Sequence, residues 1–150
     1  VSRPDGRLFP FTQRDPAAGE FGLAPVLSVR LLGPRPQTIE ALVDSGAAIN
    51  TLPRSVGVAL GLDWDTCPPL PKLSGVIARS AARAVALPAA CGGYAPVLLV
   101  FAWAESDDIP ALLGRQNFFK MFDVCFFGSK AEFAVRPVPP PAPLPPAPLT

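Results

Sequence analysis

An all-β domain with one or two short helices is what this sequence predicts, on three observations. Strand-length runs alternate apolar and polar residues, glycines and prolines punctuate the intervals between them, and 150 residues suit a single domain with its own core. Leu27, Val29 and Leu31 alternate with Ser28 and Arg30, residues 33–36 form a Gly/Pro turn, and Ile39, Ala41 and Val43 resume the alternation. This is a hairpin that delivers Asp44. Pro53 suits the first turn of a short helix ending near Gly61, because a missing N–H costs nothing there. Residues 94–104, rich in valine, leucine and aromatics, predict a buried strand, and residues 107–110 a turn leading into residues 111–114. A second short helix over residues 116–121 and strands over 124–127 and 132–135 complete the domain, with no internal repeat.

The composition removes several chemistries. There is no histidine, so histidine-dependent triads, Cys-His pairs and histidine-bound metals are excluded, and acid-base work falls to carboxylates. Net charge is +1 with 13 basic and 12 acidic residues scattered along the chain, which gives no electrostatic footprint for nucleic acid or an anionic membrane. Cys67, Cys91 and Cys125 are odd in number and widely spaced, which reads as buried thiols rather than a disulfide framework or zinc site and is compatible with a soluble protein of a reducing compartment such as the cytoplasm. The longest apolar stretch, residues 96–104, is too short to span a bilayer. No metal or other cofactor is expected.

Eight of the 21 prolines lie between Pro137 and Pro148, in a segment of almost nothing but proline, alanine, leucine and valine. Such a composition predicts an extended polyproline-like tail over residues 137–150 and a folded domain over residues 1–136. Pro140 to Pro143 has the Pro-x-x-P spacing that could dock a partner domain's aromatic groove, although a plain linker is the commoner meaning of that spacing.

Chemistry is concentrated in two places. Asp44, Ser45, Gly46 and Ala47 set a carboxylate, a hydroxyl and a glycine in a row after an apolar strand, and Leu112, Leu113, Gly114 and Arg115 form a second apolar run closed by glycine. Peptide hydrolysis without metal or covalent nucleophile needs one group to take a proton from water and another to give one to the scissile amide. Two carboxylates sharing one proton do both, because close neighbours cannot both ionise cheaply. One such carboxylate per chain implies that a second copy supplies the other. Alone, Asp-Ser-Gly is an ordinary turn tripeptide; the second motif and the strand context give it meaning.

These two motifs resemble those of the retropepsin-type aspartic proteases, single-lobe homodimers found in retroviruses and, as related domains, in bacteria. The bacterial type is the more similar, through Asn50, Thr51, Leu52, Pro53, then Leu60, Gly61, Leu62, then Gly114, Arg115, Gln116, Asn117, Phe118, Phe119, with Phe122, Asp123, Val124 following. The resemblance covers roughly residues 7–136. It implies a closed, barrel-like β fold, a homodimer and an extended peptide as substrate, with no nucleic acid and no membrane span. Asp44 would be the catalytic carboxylate, Ser45 the hydroxyl that bonds across the dimer, and Gly46 the residue beside the substrate backbone. Leu112, Leu113 and Gly114, with Arg115, would thread through the loop after Asp44 and buttress it. Residues 72–85 would be the flap, bringing Gly75, Val76, Ile77 and Ala78 to the substrate that Ala47 meets from the Asp44 loop, and residues 132–135 with residues 8–11 would build the dimer sheet.

The sequence departs from the pattern twice. Flaps of this family are usually glycine-rich at the tip, whereas Gly75 is followed by Val76, Ile77, Ala78, Arg79 and Ser80. Many relatives carry an acidic residue where Ala48 stands, so Arg115 needs another partner, for which Asp123 is the candidate, or faces solvent. These departures motivate an alternative function, a catalytically silent module that keeps the fold to dimerise or bind peptides. Asp63, Asp65, Asp107 and Asp108 read most simply as turn carboxylates, Trp64, Trp103, Phe118, Phe119, Phe126 and Phe127 as core or dimer packing, and Arg79 and Arg83 as a solvated flap face.

Overall fold

The computed structural model describes residues 6–71 and 78–139. Its elements are β1 (Arg7–Pro10), β2 (Thr12–Gln13), β3 (Leu23–Ala24), β4 (Val26–Leu31), β5 (Gln37–Val43), β6 (Asn50–Leu52), α1 (Arg54–Leu60), β7 (Ala82–Cys91), β8 (Val97–Ala104), β9 (Leu112–Leu113), α2 (Phe118–Met121), β10 (Phe122–Phe127) and β11 (Glu132–Pro137). Six strands close a barrel in the order β4, β5, β9, β6, β8, β7. The predicted all-β class with short helices is the observed one.

The hairpin of β4 and β5 follows the sequence alternation. Leu27, Val29, Leu31, Ala41 and Val43 are buried while Ser28 and Arg30 are exposed, and Leu27 lies opposite Ala41 and Val29 opposite Ile39. Barrel closure turns these rows inward onto Leu52, Leu87, Leu99, Phe101, Trp103 and Leu113. Every buried side-chain nitrogen and oxygen among the described residues is hydrogen-bonded.

Helix α1 packs on the barrel through Gly57, where a Cβ would overlap the ring of the fully buried Trp103. Pro53 stands one residue earlier than expected, as N-cap, and Gly61 ends the helix in the left-handed conformation at φ 81°. Asp107 is more than a turn residue: its Oδ1 accepts from Ser55 N at 2.7 Å, satisfying one of the free amides in the first turn of α1. Those bonds from Ser55 hold its carboxyl below the usual range, and the charge of Arg54 acts in the same direction. A depressed folded-state value contributes stability above the unfolded pKa and loses it as pH falls through the folded one. The melting-temperature gap between the native chain and Asp107→Ala is therefore expected to hold from neutrality down to about pH 5 and to close below about pH 4. A gap that widened on acidification would contradict this role.

A second sheet, β1-β11-β10, lies outside the barrel, with Phe9 opposite Phe133 and Phe126 opposite Phe133 across the two ladders. Tyr94 fastens it to the barrel. Its hydroxyl accepts from Arg7 N at 3.0 Å and donates to Val135 O at 2.8 Å, while the Arg7 guanidinium lies 4.3 Å over the ring. Tyr94→Phe keeps the ring and strands both backbone groups, so a loss of about 1 kcal/mol is expected in chemical denaturation. An unchanged midpoint would show that the clamp is idle.

Three expectations need correction. Residues 82–85 are not part of a flap but the first four residues of β7, with Ala82 and Val85 buried and Ala82 paired with Ala104. Arg83 accordingly leaves the solvated face: it is half-buried, donates to Cys67 O at 2.9 Å and lies 5.2 Å over the Trp64 ring. Of the three thiols only Cys91 is buried, and burial pushes its pKa up to about 12; Cys67 and Cys125 are half-buried. Among the aromatics, Trp103 and Phe118 are core, Trp64 meets Trp103 edge-on at 5.0 Å, and Phe126 is exposed. No helix among the described residues is long and apolar enough to cross a membrane.

Candidate active site

Asp44 follows the last residue of β5, and buried Val43 fixes the strand end that carries it. Strand β9 runs parallel to β5, with Leu42 beside Leu112 and Val43 beside Leu113, and Asp44 N donates to Leu113 O at 2.9 Å. On its other side β9 meets β6 at Thr51, so Leu112 and Leu113 lie between the strand that enters the Asp44 loop and the strand that leaves it. The Thr51 hydroxyl donates to Pro110 O at 2.7 Å and holds the entry to β9.

The loop itself is a tight turn. Gly46 N donates to Asp44 Oδ1 at 2.9 Å and Ala47 N to Asp44 O at 3.1 Å, so one carboxylate oxygen is fixed and Oδ2 has no donor among the described residues. Asp44 is half-buried; Ser45 and Gly46 are exposed. A Cβ on Gly46 would sit 3.1 Å from Asp44 Oδ1, pressing on the oxygen that its own amide holds. The second motif closes the loop from below: Arg115 N donates to Ala47 O and Gln116 N to Ala48 O, each at 2.9 Å.

Arg115 is not paired with Asp123. Its guanidinium donates to Ser45 O at 2.9 Å, and Asp123 instead takes Arg136 at 2.7 Å. With Ala48 in place of an acid, the arginine grips the loop backbone directly, and it orients the Ser45 peptide next to the carboxylate. Asp63 Oδ1 accepts from Asp65 N at 3.1 Å, which is a local turn.

Two asparagines complete the support. Asn50 is fully buried at the start of β6; its Oδ1 accepts from Gly114 N at 2.7 Å and its Nδ2 donates to Val100 O at 2.9 Å and to Asn117 Oδ1 at 3.2 Å. Asn117 Oδ1 also accepts from Val100 N at 3.0 Å, and its Nδ2 donates to Leu98 O at 3.0 Å. One amide thus ties the second motif to β8, and the other caps the open edge of β8. Sequence reasoning quoted both residues within a pattern without assigning them a role. For Asn50 the available signal was an uncharged amide directly after Ile49, at the head of the strand that leaves the Asp44 loop; Asn117, at the start of α2, gave none.

Gly75, Val76 and Ile77 lie outside the described residues. Ala78 is exposed, two residues before Ser80, whose hydroxyl accepts from Glu105 N at 3.1 Å and Ser106 N at 3.2 Å. Asp44, Ser45, Gly46 and Ala47 are thus brought together with Leu112, Leu113, Gly114 and Arg115.

No protein-family model matches this sequence, and no curated protein does. Among solved structures it is similar to a retropepsin-like aspartic protease from Rickettsia conorii, with a TM-score of 0.58 and 14% sequence identity over 87% of this chain and 91% of that one. The barrel order, the β9 insertion and this likeness agree: the chain is built on the single-lobe retropepsin-like fold.

Proposed function

We infer that this protein is an aspartic endopeptidase whose catalytic pair is formed by Asp44 and the Asp44 of a second copy. The observation that carries the reading is the Asp44 loop itself, a strand-end carboxylate with one oxygen fixed by Gly46 N and the whole turn hydrogen-bonded onto the second motif. A carboxylate used only to close a turn has no need of a buried strand pinned beneath it. Likeness of fold to an aspartic protease supports the same reading.

In this account two Asp44 carboxylates meet across a two-fold axis and hold one proton between them. Water lies between them; the ionised carboxylate takes its proton as the oxygen attacks the scissile carbonyl, and the protonated one donates to the carbonyl oxygen. As the tetrahedral intermediate collapses, one of its hydroxyls returns a proton to the ionised carboxylate while the protonated one passes its proton to the amide nitrogen; the C–N bond breaks, and the pair is left with one proton again. Ser45 bonds across the axis to the partner's loop, and Gly46 lets the backbone of an extended peptide approach. Leu112, Leu113, Gly114 and Arg115 act by holding the loop, and residues before β7, including Gly75, Val76, Ile77 and Ala78, close over the substrate. Nothing in this chemistry calls for a cofactor.

Incubation of the purified protein with a peptide library from acidic to neutral pH tests the reading. Defined internal cleavage sites that are suppressed by a hydroxyl-bearing mimic of the tetrahedral intermediate are expected. Peptide binding without cleavage would replace the enzyme with a binding module of the same fold.

A further inference from the structure

The outer face of β7 and β8 carries an apolar patch that the barrel does not use. Side chains of these strands alternate, so Leu87, Leu99, Val85 and Phe101 enter the core and the even-numbered residues face outward. At one end of the outward row, Ala82, Ala102 and Ala104 are covered by Ile109, with Leu70 and Ile49 beside it. At the other end Pro88 lies opposite Leu98 and Ala86 opposite Val100, all four are exposed, and Leu98 and Val100 retain 57% and 38% of their surface in solvent. Half of one apolar row is covered and half is open.

The open half lies where the chain leaves the domain. Val138 N donates to Met121 O at 2.9 Å, Met121 ends α2, and the helix begins beside Asn117, whose amide holds Leu98 O and Val100 N. Four helical residues span about 6 Å, so residue 139 starts near the patch. The twelve residues that follow Val138 contain seven prolines, Leu144, Leu149 and no charge. At about 3.1 Å per residue in a polyproline II conformation they reach roughly 37 Å, several times what is needed.

We propose that residues 139–150 fold back on their own barrel and cover Leu98, Val100, Ala86 and Pro88. The backbone chemistry of the edge favours this occupant over an added β-strand. Asn117 already satisfies the Leu98 carbonyl and the Val100 amide, so an incoming strand finds those ladder positions taken. A proline-rich segment brings only five backbone amides in twelve residues and offers pyrrolidine rings and two leucines to an apolar face. Tethering a few ångström away supplies an effective concentration on the order of millimolar, which a weak contact of this kind requires.

Methyl NMR on the full chain tests the strap. Cross-peaks are expected between the methyls of Leu144 or Leu149 and those of Leu98 and Val100, within one molecule in mixtures of labelled and unlabelled protein. Leu98→Asp should remove them while the core methyls of Leu27 and Leu52 keep their shifts. Leu144→Asp combined with Leu149→Asp leaves the barrel untouched and should move the Leu98 and Val100 methyls. No cross-peaks, cross-peaks only between differently labelled molecules, or patch methyls indifferent to the double variant would each overturn the proposal.

Discussion

Replacing Asp44 with Asn is expected to lower kcat/KM by at least about 10⁴-fold while leaving the protein folded and its assembly unchanged. Asparagine has the same shape, and its Oδ1 still accepts the amide of Gly46 that closes the turn at 2.9 Å. What it cannot do is take a proton from water or hold the one proton that the pair shares. Circular dichroism and sedimentation serve as the structural controls. Turnover of an Asp44→Asn sample within tenfold of the native protein would remove the carboxylate from the mechanism.

Replacing Gly114 with Ala should have the largest effect on stability of any change near the site that adds a single methyl. A Cβ at that position would lie 2.7 Å from both Ala47 O and Ile49 O and 2.9 Å from the Ile49 carbonyl carbon, all backbone atoms. Neither oxygen can rotate away, because Ala47 O accepts from Arg115 N and both belong to the turn that follows Asp44. Relief requires β9 to move off the loop, which also lengthens the 2.7 Å bond from Gly114 N to Asn50 Oδ1. A destabilisation on the order of 3 kcal/mol is expected, with activity lost at temperatures where the chain is still folded. Gly128→Ala is the control, since a Cβ there meets nothing within 4 Å and its effect should stay under about 0.5 kcal/mol. Equal midpoints for the two variants would mean that β9 does not hold the loop rigidly.

The fold was legible wherever local chemistry and tertiary packing ask for the same residue. Alternation in β4 and β5, the turn at Gly33 and Pro34, and the Pro53 to Gly61 helix were all readable because each of these residues has a local reason to be there. Strand β7 was obscured for the opposite reason. Its ARAVALPAAC sequence is rich in alanine and contains Pro88, so propensity argues against a strand, and pairing with β8 on one side and β4 on the other decides the matter. The short ribbon of β2 and β3 was equally hidden, as two-residue strands leave no period to detect.

At the candidate site, the order of the two motifs pointed to the residues that meet, because a loop and the strand beneath it leave separate marks in the sequence. The grip of Arg115 on Ser45 O left no such mark. Reasoning from side-chain charge sought an acid for the guanidinium, whereas a backbone carbonyl is invisible in a list of residue types. Asn50 and Asn117 were obscured similarly, since four of their partners, Gly114 N, Val100 N, Val100 O and Leu98 O, are also main-chain atoms.

Mixing experiments reach the claim that two chains build one site. Native protein and the Asp44→Asn variant are combined in equal amounts, allowed to exchange subunits, and assayed at fixed total concentration. If each site needs an Asp44 from both chains, only native pairs cleave and activity falls to about one quarter of the native value. A value of about one half would mean that each chain works alone, which contradicts a shared pair.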